Sequence, residues 1–318
     1  MVAALRPPAS LTARVRTMLQ GDDLVEFASL EPTDERDALS ALLLIQELHT
    51  ASLDQLQGAE RFQHHPFVAR LKGQLEGPFL DQLNAFPRVQ DADSEEGAVP
   101  AMRRIAAIDL VPPVYDWLAE QATWPQLIEF LSVEGGPDGG FDDLVALCQV
   151  GIDGQAKVTL AANYWDEMGR GSLEKVHTEL HRALSRSLAL PQPSIDQLPT
   201  EALARAALNG LLATNRALQP EMIGALGLLE LQAGPRCRKV LQALHRLDAP
   251  AAAFPFYEEH ATADPRHGKE WIDHAVGALA AQHPHWAHRI VRGAAWRSAV
   301  NEALFTCLHT HATHSRAA

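Results

Sequence analysis

The chain has 318 residues, 47% of them hydrophobic, and a formal charge of −13 from 27 basic and 40 acidic side chains. That length supports a sizeable core in one large domain or two small ones, and the acidic balance argues against nucleic acid or an anionic membrane as a main partner. Three scattered cysteines, Cys148, Cys237 and Cys307, form no CxxC pair, no apolar run approaches the roughly 20 residues of a membrane span, and the first residues lack a signal-peptide core, so a soluble protein of the reducing cytoplasm is expected.

Apolar residues recur at three- and four-residue spacing, aromatics are 6%, and β-branched runs are scarce, which predicts an all-α protein. Ser10 opens a first helix. A long one begins at Thr33–Arg36 and reaches about Leu56, and a third runs from near Pro66 to Leu83. The acidic stretch 87–100 reads as a loop dividing an N-terminal helical region (1–100) from a second region (101–318), the two expected to pack as one unit. Helices follow at 101–108, 112–121 and 124–134, then a break at Gly135–Gly140. Further helices are expected at 141–150, 155–168 and 173–188, the last two interrupted by Gly169–Arg170–Gly171. A connection at 191–198 leads to helices at 199–215, 219–231, 235–246, 250–281 and 285–310. Pro235, Pro250 and Pro284 suit first-turn positions, and Pro265 is a candidate kink.

The chemistry-bearing residues concentrate in the second region. On a helix, His260, Asp264 and His267 stand at i, i+4 and i+7, within roughly 60° of one another. Two imidazoles and a carboxylate on one stripe can present ligands to iron, manganese or zinc. The competing reading is a solvated face in a chain with 15 histidines. Glu230 follows an apolar run, where a carboxylate is expensive to bury unless paired or ligated. Glu167 ends one helix beside the Gly-x-Gly turn and His177 opens the next, so the turn can aim both at one centre. Glu174, His177 and His181 form a rival stripe. A further carboxylate comes from Glu134 or from Asp142 and Asp143. The pair His64–His65 suits a packed helix start, and His285, His288, His309, His311 and His314 suit the surface.

Asp166–Glu167-x-Gly, then His177, then Glu230, then His260-x3-Asp264-x2-His267 resembles the heme-oxygenase-like diiron oxidases and oxygenases, also called iron-containing redox enzymes, over roughly residues 125–280. The resemblance implies a heme-oxygenase-like helical bundle extended at its N-terminus, holding two irons per chain, Fe(II) or Fe(III), and no heme. It assigns metal-ligand roles to Glu167, His177, Glu230, His260, Asp264 and His267, with Glu134 as a further carboxylate. Tyr164, Trp165 and Tyr257 then line the pocket or support the ligands, or simply pack the core. The implied activity is O2-dependent oxidation of an amino acid, amine or fatty-acid-like substrate through a peroxo-diferric intermediate. The expected partners are O2 and a small molecule, without nucleic acid or membrane, and a homodimer is left open. The alternative is a zinc-binding or non-catalytic helical protein retaining the fold.

Overall fold

The computed structural model describes residues 9–21, 26–92, 95–135 and 140–314. Residues 136–139 of the break expected at Gly135–Gly140, residues 93–94 of the expected acidic loop, and most of the N-terminal stretch before Ser10 lie outside them. The three- and four-residue apolar spacing becomes helix throughout: the protein is all-α, 80% helical, with no strand among the described residues. In chain order the helices are α1 (Leu11–Gln20), α2 (Glu35–Thr50), α3 (Leu53–Leu56), α4 (Pro66–Ala85), α5 (Pro87–Gln90), α6 (Ala98–Ile108), α7 (Pro113–Glu120) and α8 (Trp124–Glu134). They continue as α9 (Phe141–Cys148), α10 (Gly154–Glu167), α11 (His177–Leu188), α12 (Thr200–Thr214), α13 (Gln219–Arg246), α14 (Pro255–Glu270), α15 (Gly277–Gln282) and α16 (Ala287–His314). A π turn, Trp271–Val276, joins α14 to α15. Among the described residues no helix is long and apolar enough to cross a membrane.

Several boundaries differ from the sequence expectation, and each has a local cause. The two helices expected at 219–231 and 235–246 are one, α13, with Pro235 inside it. An interior proline removes a hydrogen bond and costs about 3 kcal/mol in a free helix. Here buried residues on both sides, Met222 to Leu228 and Cys237 to Leu244, hold the helix together. Pro265 likewise sits inside α14. Its missing N–H orphans the carbonyl of Ala261, and Arg238 Nη1 donates to that carbonyl at 3.1 Å. The expected loop at 87–100 contains α5 and the first turn of α6. The helix opened by Asp34 ends at Thr50, and Ser52 starts the separate turn α3 with a capping box.

The long helix α13, about 42 Å at 1.5 Å per residue, packs against α7, α14 and α16. Glycines set its closest approaches. A methyl group at Gly224 would collide with the carbonyl of Ile290, and one at Gly293 with the backbone of Glu221, so α13 and α16 touch backbone to backbone. The fully buried Glu221 ties the same two helices by ion pairs to Arg289 (2.7 Å) and Arg292. Trp271, at the start of the π turn, donates from Nε1 to Ile223 O at 3.1 Å.

The N-terminal helices join this core through α2, which packs on α12. Their entry is fixed by Asp37, whose carboxylate accepts from Leu11 N and Thr12 N, both at 2.8 Å, and from Thr33 N at 3.0 Å. Burial pushes the Asp37 pKa up, but these donors outweigh it and bring the pKa down to about 2. One apolar cluster runs from Leu11 and Leu42 through Leu208 and Ile223 to Trp296. A second, from Val114 and Phe130 to Leu184, Val240 and Tyr257, lies around the other half of α13.

The glycine contacts give a paired test. Gly293→Ala should lower the unfolding free energy by about 1–3 kcal/mol or more through overpacking. Gly73→Ala, in α4 with nothing within 4 Å of the added methyl, should raise it by about 0.5–1 kcal/mol through helix propensity. Urea denaturation of both variants reads the contrast, and equal effects would remove the backbone contact from the account.

Candidate metal centre

Four helices bring their polar residues to one place. Glu167 is the last residue of α10 and His177 the first of α11. Between them Gly169 adopts φ +59°, and a side chain there would strike the backbone of Lys175 and Val176 at about 2.6 Å. The chain therefore doubles back tightly, which turns Glu167 and His177 toward each other. Glu230 projects from the middle of α13. Gly268 of α14 packs on its backbone, where a methyl group would lie 2.8 Å from Glu230 O. The α14 stripe of His260, Asp264 and His267 faces that contact, and Asp264 and His267 are both 2% exposed.

Ligand-capable atoms of Glu167, His177 and His260 lie within 4.8 Å of one another, and those of Glu167, Glu230 and His267 do so as well. Glu167 belongs to both groups. His177 Nδ1 is 2.7 Å from Glu167 Oε2, yet out of line for a hydrogen bond. His267 Nδ1 lies 3.7 Å from Glu230 Oε2 and 3.8 Å from Asp264 Oδ1. The rings of His177 and His260 stand 4.5 Å apart. His260 Nδ1 meets Phe256 O at 2.7 Å. A carbonyl only accepts, so Nδ1 carries the proton and Nε2 keeps its lone pair. Asn163, one turn before Glu167, donates to Glu230 Oε1 at 2.9 Å.

The electrostatics are severe. Burial, with Glu167 as a neighbour, pushes the Glu230 carboxyl up to about 7, and burial pushes Glu167 to about 7. Burial beside Glu230 and Glu167 holds Asp264 well above the usual carboxylate range. Loss of water around the ring, with His177 close by, brings the His260 pKa down to about 4, and burial lowers that of His177. Buried polar atoms normally find partners. Here His177 Nδ1 and Nε2, His267 Nδ1, Glu230 Oε2 and Asp264 Oδ2 have none. These unsatisfied imidazole nitrogens and carboxylate oxygens belong to the same cluster, and their donor set fits a hard or borderline divalent cation such as iron.

The remaining candidates fall elsewhere. Glu174 is exposed and accepts from Ser172 Oγ at 2.6 Å, in a 3-10 turn before α11, so the stripe Glu174–His177–His181 does not form. The His181 ring packs on Phe256 at 5.1 Å. Glu134 is in neither group: its Oε1 accepts from Tyr115 Oη at 3.1 Å. Asp142 is half-buried with Oδ1 unpartnered, and burial raises its pKa. Tyr257 lines a cavity of about 70 Å³ with Tyr115, Glu134, Leu229, Ala233 and Arg236. Trp165 is 55% exposed, and Tyr164 packs against the larger core. His65 caps α4, its Nδ1 accepting from Phe67 N at 3.2 Å. Of the C-terminal histidines only His309 is half-buried, 6.2 Å from the Trp117 ring. Sequence spacing missed Asn163, although its place one turn before Glu167 was a usable signal.

A pH test follows from the raised carboxylates. In the unfolded chain Glu230 titrates near 4.3, and in the metal-free fold near 7. Its contribution to stability is complete below about 4.3 and is lost as pH rises through 7. The lowered pKa values of His177 and His260 act oppositely, removing stability as pH falls from about 6.5 toward 4, and they cancel in a comparison that leaves both in place. Metal-free Glu230→Gln should therefore be about 2–3 kcal/mol more stable than wild type at pH 8, with the gain fading by pH 5. Denaturation in chelator at both pH values reads it, and a pH-independent difference would place the Glu230 carboxylate in water.

The model of the family described as iron-containing redox enzyme matches residues 129–302, a span that begins in α8 and ends in α16 and takes in all six clustered residues. No curated protein matches the chain. With more than half of its length matched, its all-α architecture and its buried Glu/His cluster, the chain belongs to the heme-oxygenase-like family of iron-containing redox enzymes.

Proposed function

We propose that the protein is a non-heme diiron oxidoreductase that uses O2 to oxidise a small organic substrate, of amino-acid, amine or fatty-acid-like character. The observation that carries the reading is the sharing of Glu167 by two three-residue groups. A carboxylate has two oxygens and can serve two cations at once. His177 and His260 would hold one iron, and Glu230, Asp264 and His267 the other. Three carboxylates beside one centre also speak against heme, which needs a single axial ligand. When bound, the two irons would together supply the electrons that reduce O2 and generate the oxidant.

The protein's own part is to aim these ligands, to release protons and to keep water out. Glu167 and Glu230, held near pKa 7 by burial, would give up protons as metal enters, so loading should be weaker at pH 6 than at pH 8. A cavity lined by Tyr257, Tyr115 and Glu134 and, on α13, by Leu229 and Ala233 would receive the reacting end of the substrate. Its 70 Å³ suits a small group rather than a whole chain. Three free cysteines, two of them buried, suit the reducing cytoplasm expected for an Fe(II) enzyme.

Anaerobic Fe(II) reconstitution should give two irons per chain and a higher melting temperature. His260→Ala should lose one iron and His267→Ala the other. Glu167→Ala should lose both, and Glu174→Ala neither. The stoichiometry is read by iron analysis, and exposure of the loaded protein to O2 should change its visible absorbance. Retention of both irons by all three ligand variants, or tight colourless binding of zinc alone, would overturn the reading.

A further inference from the structure

Outside the cluster, one carboxylate has no part in either group of ligands and yet touches both the cluster and the surface. Asp166 precedes Glu167 on α10 and so points to a different side of the helix. Its Oδ2 is 2.7 Å from His267 Nε2 and 2.5 Å from an Arg266 guanidinium nitrogen, and its Oδ1 accepts from Arg170 Nε at 2.6 Å. Arg266 is braced in turn by Glu270 at 3.3 Å. Ion-paired with two guanidinium groups, Arg170 and Arg266, Asp166 is an anion that only accepts.

We infer that Asp166 is a positioning residue, which keeps the His267 proton on Nε2 and so aims the Nδ1 lone pair at Glu230 and Asp264. Arg266 also lies 3.1 Å from Nε2. A guanidinium and an N–H cannot both donate into that contact. The shorter approach of the ionised Asp166 decides it, with Arg266 satisfied by Asp166 and Glu270. On the other face of the ring, Nδ1 is buried without a hydrogen-bond partner, between two carboxylate oxygens at 3.7 and 3.8 Å. Without Asp166 the proton would move to Nδ1, where those acids accept it, and the nitrogen facing the cluster could no longer serve as a ligand. An outer carboxylate that fixes a ligand tautomer in this way typically changes metal affinity 10–100-fold. The inference rests on the metal reading above for its consequence, but not for its geometry.

The test uses Asp166→Ala and Asp166→Glu in the full chain, with two readouts. In metal-free protein, the nitrogen-15 shifts of His267 should report one Nε2–H tautomer in wild type and a shift toward Nδ1–H in Asp166→Ala, while the signals of His177 and His260 stay in place and show that the fold is intact. In anaerobic Co(II) titration, the site containing His267 should weaken about 10–100-fold and the His177–His260 site should not, with Asp166→Glu restoring part of the loss. An unchanged His267 tautomer in Asp166→Ala overturns the inference, whether or not metal binds. A wild type that binds no Co(II) but shows the tautomer change would sink the metal reading and leave the positioning role standing.

Discussion

Three carboxylates, Glu167, Glu230 and Asp264, share one dry space between α10, α11, α13 and α14, and none of them pairs with a lysine or arginine among the described residues. Like charges at short range in low dielectric cannot all stay ionised, so protons must remain in the cluster unless a cation replaces them. That conflict organises the rest of the molecule. Burial among like charges raises Glu230 and Glu167 to about 7, while burial with His177 alongside depresses His260 to about 4. A metal ion would resolve the conflict, because it would supply positive charge and partners for the unsatisfied nitrogens and oxygens together.

Holding such a cluster together requires rigid walls, and the fold supplies them through close backbone contacts. Gly268 brings α14 onto the backbone of Glu230 itself, and Gly169 folds α10 back against the start of α11. Gly224 and Gly293 then lock α13 to α16, with the buried pairs of Glu221 to Arg289 and Arg292 beside them. A shift of either glycine contact would move a ligand-bearing helix as a body. The acids are thus kept near each other by apolar packing elsewhere, and the destabilisation they bring is local while the stabilisation is spread across two cores. Asp166 adds an outer support of a different kind. It transmits the fixed position of two surface arginines to one imidazole nitrogen.

Much of this was legible before any coordinates. The α14 stripe is a matter of helical period, so His260, Asp264 and His267 converge once the segment is helical. The doubt raised by Pro265 is removed by Arg238, which a sequence reading could not have matched with Ala261 O. Glu230 announced itself by its apolar surroundings. The choice between Glu167 and Glu174 was open in the spacing alone. In the structure α11 begins at 177, after the positive φ of Gly169 and Arg170, so Glu174 lies in the turn outside the helix. Pro235 was misread as a helix start because propensity is a local quantity, and burial along both halves of α13 overrode it.

The sequence by itself determined the all-α class, the positions of most helices, and which polar residues stand in apolar company. Those properties depend on neighbours within a few turns, and side-chain period and transfer free energy are enough to read them. Only the tertiary structure decided which polar residues meet. It joined Glu167 to two groups at once, turned Glu134 toward Tyr115, and set Asp166 against His267 across 101 positions of chain. Those pairings depend on helix crossings, and the crossings are set by where glycine lets two backbones touch. No local pattern of hydrophobicity or charge encodes that distance.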